Sequence, residues 1–280
     1  MSRLLIFGLG YTAQRIADAM RARGWQVRAT GSAGDIAFAD RDAVLAALAE
    51  ATHILSSVPP DRASGGDSVL DAYGEALKGK SLFYLSSTGV YGDRQGAWVD
   101  EATPTIAQSG EGRRNARAEA DLAWLNLGAR VFRLPGIYGP GRSALDRVRA
   151  GQARRIDLPG QVFSRVHVDD IASGVVAAMV RDAPAGAYNL GDDLPCSGNE
   201  VTEHACRLLG LELPPLESLE EANLSEMARG FYMENRRVAN GKAKRVLGWQ
   251  PAYPTYVEGL ETLFSPQSPA GASAPLANAP

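Results

Sequence analysis

The 280-residue chain is short of the residues that build disulfide frameworks and metal centres, with two cysteines and three histidines. Cys196 and Cys206 lack metal-ligand spacing, so no metal site is expected, and so few thiols suit a reducing, cytoplasmic setting. No apolar run approaches the length of a membrane span or has the pattern of a secretory signal, so no membrane association is expected. A net charge of −3 gives no general attraction for nucleic acid or for an anionic membrane surface. Hydrophobic residues nevertheless make up 45% of the chain, enough at this length for one large core or one core with a smaller lobe. The stretch from Ser265 to Pro280, rich in Pro, Ala and Ser, cannot bury enough apolar surface to fold. It is expected to be a disordered tail behind a single domain of residues 1–264.

The most informative stretch is Leu4-Leu5-Ile6-Phe7-Gly8-Leu9-Gly10-Tyr11-Thr12-Ala13. An apolar strand ending in Gly-x-Gly-x-x-Ala turns tightly at Gly8, lets a pyrophosphate approach the backbone at Gly10, and packs the next helix closely through Ala13. The N–H groups of Tyr11 and Thr12 then face the phosphates. Ala13, Ile16, Ala17 and Met20 line one face of that helix, Arg15, Asp18 and Arg21 the other, and Gly24 closes it. Glycine turns of this kind also occur in α/β units that bind no nucleotide. Its place directly after an apolar strand is what favours a dinucleotide.

Strands and helices alternate through the first half. Trp25 to Thr30, His53 to Val58, Ser81 to Ser86 and Arg130 to Leu134 read as strands, with a short one at Ile36-Ala37-Phe38. Helices are expected over Arg41 to Leu48, around Ser68 to Lys78 and around Arg113 to Leu127. That order specifies an α/β fold, a doubly wound parallel sheet of the Rossmann type, with ligands beyond the strand C-termini. After Pro135 the alternation loosens, and residues 140–165 and 195–236 read as insertions that build a small C-terminal substrate lobe over the cleft.

Four later strings join the first: Tyr84-Leu-Ser-Ser-Thr-Gly-Val-Tyr91-Gly92-Asp93, Arg133-Leu-Pro-Gly-Ile-Tyr138-Gly-Pro-Gly-Arg142, Phe163-Ser-Arg-Val-His167-Val-Asp169-Asp170-Ile-Ala and Leu247-Gly-Trp-Gln-Pro251. As an ordered set, over about residues 3–264, the chain resembles the extended short-chain dehydrogenase/reductases, the NAD-dependent epimerase/dehydratase family. The run from Ser225 to Asn240, continued by Tyr253 to Leu260, is similar to a bacterial branch of atypical members often labelled nucleoside-diphosphate-sugar epimerase-like. The resemblance implies an NAD(P) cofactor held at Gly8, Gly10, Tyr11 and Thr12 and rimmed by Val58, Pro59, Ser86 and Pro135. In active members, a Ser or Thr four residues before the Tyr of Val-Tyr-Gly, here Ser87, holds the substrate hydroxyl or carbonyl. A Tyr-x-x-x-Lys dyad transfers the proton; its ammonium lowers the tyrosine pKa and holds the nicotinamide ribose.

This dyad is missing, because no Tyr or Lys occurs from Gly92 to Arg130. On the closest spacing Arg113 replaces the tyrosine and Arg117 the lysine, with a shift of a residue or two left open. Arg117 can supply the charge and bond a ribose, whereas Arg113, as a guanidinium, is a poor general acid. Three groups could substitute. Tyr91 ends the Ser81–Ser86 segment, although its equivalent in relatives is structural. His167 can titrate near neutrality, but it precedes Asp169 and Asp170, either of which would cap a helix starting at Ile171. Glu111 is the third, and reads more readily as a solvated loop carboxylate. A hydrolytic triad around Ser87 lacks the flanking glycines it would need.

At the end of the second strand the chain reads Val27-Arg28-Ala29-Thr30-Gly31-Ser32, with no carboxylate at the tip to repel a 2′-phosphate and with Thr30 and Ser32 as donors, so NADP is favoured over NAD. Arg28 serves either as a phosphate partner or as a solvated charge. Arg142, Arg147, Arg149, Arg154, Arg155 and Arg165 stand against only Asp146 and Asp157. From this group Arg142, Arg155 and Arg165, with His167, are the expected substrate contacts for a phosphate or carboxylate. Two functions fit. One is an enzyme of redox or epimerase type acting on a small anionic metabolite or nucleotide-sugar through a non-standard proton donor. The other is a non-catalytic dinucleotide-sensing regulator whose lobe reports redox state to a protein partner. A homodimer is compatible with both, and a structural module without nucleotide conflicts with the intact glycine turn.

Overall fold

The computed structural model describes residues 2–61, 64–109 and 115–265. The expected tail beyond Ser265 and the loop positions Glu111 and Arg113 lie outside the described residues. Six parallel strands form the central sheet: β1 (Arg3–Phe7), β2 (Gln26–Ala29), β3 (His53–Ser56), β4 (Ser81–Ser87), β5 (Arg130–Leu134) and β6 (Gly186–Asn189). Their order is β6-β5-β4-β3-β1-β2. The chain leaves β1 for β2 on one side and returns to β3 on the other, and this switch point opens a crevice at the strand C-termini. Phe7 pairs with Ser56, so Gly8 emerges beside Ser57.

The helices of six or more residues are α1 (Tyr11–Arg21), α2 (Arg41–Glu50), α3 (Ser68–Tyr73), α4 (Ala116–Asn126), α5 (Ala144–Arg149), α6 (Val168–Val180), α7 (Gly198–Leu209), α8 (Glu226–Tyr232), α9 (Gly241–Leu247) and α10 (Tyr256–Phe264). Because both sheet faces are covered, β1 is apolar at successive positions rather than alternately. Leu4 and Ile6 pack with α1, α6 and α9, and Leu5 and Phe7 with α2, α3 and α4. A separate apolar cluster, including Leu145, Val201 and Leu260, joins α5, α7 and α10 into the small lobe. Both cysteines are free and buried there. Among the described residues no helix is long and apolar enough to cross a membrane, and no group of side chains could hold a metal ion.

Three local expectations change. Ile36 makes only an isolated bridge to Thr30 and no strand. The loop folds back so tightly that a side chain at Gly34 would lie 2.3 Å from the Ala29 carbonyl oxygen, and the sheet therefore ends at β2. Strand β6 is an addition, four residues long. Helix α6 starts at Val168 rather than Ile171, because His167 is its cap: Nδ1 accepts the Asp169 N–H at 3.3 Å. Asp170 turns inward and accepts the N–H groups of Ala252 and Tyr253 at 2.6 and 3.1 Å.

Candidate functional site

The crevice at the switch point has an anion-binding geometry. Gly8 adopts φ +84°, where a side chain would be strained, and an added Cβ would lie 3.0 Å from both Ser57 Oγ and Val58 Cγ2. The turn is pinned from two sides: the Gly8 N–H donates to Thr30 Oγ1 at 3.2 Å, and Ser57 Oγ donates to the Gly8 carbonyl. Gly10 then opens α1 without a side-chain cap. Gln14 is the first to find a helical acceptor, the Gly10 carbonyl at 2.8 Å, which leaves the Tyr11, Thr12 and Ala13 N–H groups without intrahelical partners. A Cβ at Gly10 would meet nothing within 4 Å. Free N–H groups, no acidic residue in the first turn and open space over Gly10 fit a pyrophosphate.

Several residues expected to touch a cofactor instead hold the crevice in shape. Thr30 is buried beneath the Gly8 turn, and Val58 fills the space under Gly8. Tyr11 adds a side-chain role to its backbone one, donating its hydroxyl to the Pro140 carbonyl at 3.1 Å while its ring lies 5.8 Å from the Arg142 guanidinium carbon. Ser32 and Pro59 are exposed at the rim. Beyond β2, Asp35 accepts the Ala29 N–H at 2.7 Å and pairs with Arg28 at 2.8 Å, contacts that hold its carboxyl below the usual range. That carboxylate is engaged in closing the loop.

Behind the strand ends lies a buried polar network. Arg133 and Asp121, 2% and 1% exposed as side chains, form a two-pronged pair through Nη2 and Nε at 2.8 and 3.1 Å. Ser86 Oγ also donates to Asp121, at 2.7 Å, so Ser86 belongs to this network and not to a cofactor surface. Arg133 Nη1 donates to the Tyr91 hydroxyl at 3.0 Å, which in turn donates to Asn189 Oδ1 at 2.8 Å. Tyr91 is fully buried, and that burial pushes its pKa upward. The geometry therefore corrects its expected role: Tyr91 is sealed in a network that ties the single 3-10 turn Thr88–Tyr91 to β5 and β6, and it does not face the cleft.

The cleft itself, about 790 Å³, opens beside this network between the sheet and the lobe. Ser87, Pro135, Arg117, Arg142 and Arg165 all line it. Ser87 Oγ accepts the Gly89 N–H at 3.1 Å and keeps its own proton for donation. Arg165 is spent on the fold, donating to the carbonyls of Phe163, Cys196 and Ser197. Arg155 lies outside, paired with Glu203 at 2.9 Å and bonded to the Pro214 carbonyl. His167 is likewise outside: it is 1% exposed, burial lowers its pKa, and its ring is committed to the α6 cap. Two lining residues were not singled out in advance, Arg147 on α5 and Tyr232 at the end of α8. Arg147 belongs to the arginine-rich string; its signal would have been its place on a helix whose neighbours Leu145 and Val148 are buried.

Of the cations lining the cleft, Arg154 bonds to the Ala222 carbonyl and lies 3.4 Å from Glu217, and Arg236 pairs with Glu234 at 2.6 Å. Arg117, Arg142 and Arg147 have no carboxylate partner among the described residues. Its recessed position, and then the neighbouring Arg165, lower the pKa of Arg147. The site thus joins a helix end with free N–H groups to a cleft lined by three arginines that lack a carboxylate partner among the described residues.

No family model matches the chain. A conserved protein of unknown function from Silicibacter pomeroyi DSS is 40% identical, with a TM-score of 0.82 over 94% of this chain and 98% of that one. Protein YeeZ of Escherichia coli (strain K12) is 28% identical over 91% of this chain and 97% of its own length. The human epimerase family protein SDR39U1, solved with NADPH, shares 15% identity and a TM-score of 0.74, over 94% of this chain and 99% of that one. The chain belongs to the family of the Silicibacter protein and shares its fold with the human epimerase family protein.

Proposed function

We propose that the protein binds NAD(P) in the Gly8–Gly10 crevice and carries out redox or epimerase-type chemistry on a small organic anion in the adjoining cleft, without a Tyr-x-x-x-Lys relay. The observation that carries this reading is the set of unpartnered arginines, Arg117, Arg142 and Arg147, around a cleft that adjoins the phosphate-binding turn. The cofactor, when bound, supplies hydride transfer. The chain's own residues bind and orient: Gly8 and Gly10 admit the pyrophosphate, Arg117 neutralises charge at the strand ends, and Ser87 donates to a substrate oxygen. Arg142 and Arg147 hold the anionic group. No proton is routed through Tyr91.

NADP should bind at least as tightly as NAD, because the one carboxylate near the tip of β2, Asp35, is already engaged by Ala29 and Arg28. Calorimetric titration with both cofactors, followed by a substrate screen read as NAD(P)H consumption, tests the reading; failure to bind either dinucleotide overturns it. The sealed position of Tyr91 favours a second reading, a dinucleotide-sensing regulator. Tight, redox-selective cofactor binding with no turnover across the screen would put that reading first.

A further inference from the structure

Several polar groups that line the cleft are engaged in part by the fold. Ser87 holds the Gly89 N–H and Asn115 Oδ1 caps α4 through the Arg117 and Ala118 N–H groups. Ser143 caps α5 in a reciprocal pair with Asp146, and Ser164 Oγ accepts the Val238 N–H at 2.9 Å. A sugar brings a ring of hydroxyls, each of which loses water on entry and needs a partner. Ser87 and Ser164 each keep a hydroxyl proton, so neutral donors alone do not choose the ligand. What sets the cleft apart is positive charge beside aromatic surface.

Those two features meet at one end. Tyr232 packs edge-on against Phe163, with ring centroids 5.6 Å apart and an interplanar angle of 88°. Its hydroxyl has no partner among the described residues and lies in the field of Arg147 and Arg154. Phe231, beside it, is 67% exposed yet lines the cleft, an apolar face with no cover. Arg147 projects into the same end without a carboxylate. We propose that the cleft selects an aromatic carboxylic acid rather than a sugar, with its ring against Phe231, Tyr232 and Phe163 and its carboxylate on Arg147. This rests on the reading above that the cleft takes an organic anion.

The test titrates the full chain, saturated with NADP, with four probes: 3-phenylpropanoate, cyclohexanepropanoate, 3-phenylpropan-1-ol and UDP-glucose, with inorganic pyrophosphate as a further arm. The aryl acid should bind tightest, about tenfold or more above the alcohol, for loss of a charge-assisted bond. It should exceed the saturated acid by about three- to tenfold, for loss of ring contacts. Arg147→Gln should erase the acid-over-alcohol preference and Arg147→Lys restore part of it. Tyr232→Leu should erase the aryl-over-cyclohexyl preference and Tyr232→Phe keep it, with NADP affinity unchanged in each variant as the control for folding. Tighter binding of UDP-glucose than of the aryl acid, or preferences that survive these substitutions, overturns the proposal. Pyrophosphate binding that depends on Arg147 without aryl-acid binding overturns it while leaving the organic-anion reading in place. Binding of no anion overturns both.

Discussion

Replacing Gly10 separates the ligand role of the glycine turn from its structural one. The backbone at Gly10, φ −92° and ψ −170°, is extended and accepts valine without strain, and an added Cβ meets nothing within 4 Å. The structural cost of Gly10→Val is then limited to a poorer helix cap, about 0.5–1 kcal/mol, or roughly 1–4 °C in melting temperature. The binding cost is larger. The isopropyl group stands over the Tyr11–Ala13 N–H groups, and loss of two hydrogen bonds to a charged phosphate, at about 1.5 kcal/mol or more each, weakens binding by about a hundredfold or more. Gly8→Ala should show the opposite balance, because φ +84° and the 3.0 Å contacts with Ser57 and Val58 put the strain in the fold, about 1–3 kcal/mol. Calorimetric titration with NADPH and thermal melting on the same samples distinguish the two. Undiminished NADPH affinity in a folded Gly10→Val protein would falsify the placement of the pyrophosphate.

Asp121→Ala leaves the Arg133 guanidinium buried and unpaired and should cost about 3–5 kcal/mol, lowering the melting temperature by roughly 10 °C; Asp121→Leu with Arg133→Met should recover most of it in the same melt. Tyr91→Phe removes the hydroxyl between Arg133 and Asn189 and should cost about 1–3 kcal/mol by denaturant titration, with cofactor affinity and any turnover retained. A selective loss of turnover in that variant would return Tyr91 to the chemistry. Burial pushes Asp192 up to about 7 from its ordinary 3.8, so between those values the folded chain keeps a proton that the unfolded chain releases. Its contribution to stability is therefore full below pH 3.8 and lost as the pH rises through 7. Asp192→Asn should stabilise the protein more at pH 8 than at pH 5, and equal melting shifts at the two values would count against this.

The sheet was legible because its strands are apolar on both faces and are punctuated by glycine and proline, as at Leu4–Gly8 and Val58–Pro60. Strand β6 was not, since Gly186-Ala187-Tyr188-Asn189 is too short and mixed to show a run. The start of α6 was misplaced because Asp170 has the composition of a cap, while its actual partners, Ala252 and Tyr253, lie on a distant part of the chain. Tyr91 shows the same limit: its sealing depends on Arg133 and Asn189, neither of which is near it in sequence. The arginine-rich string announced a cationic lobe, but charge alone does not tell a guanidinium consumed by carbonyls, as at Arg165, or by Glu203, as at Arg155, from one left free, as at Arg147. That distinction is made by tertiary neighbours.

Tyr11 belongs to both halves of the site, with its N–H at the phosphate end of α1 and its hydroxyl on the Pro140 carbonyl, two residues from Arg142 in the cleft. The two ligands of such a site share a mechanical part. A shift of the Tyr11 ring by either ligand would be felt at the other's end, and any coupling is reciprocal, each ligand changing its companion's affinity by the same factor. Order of arrival then governs how fast the ternary state assembles, while its final stability is the same by either route.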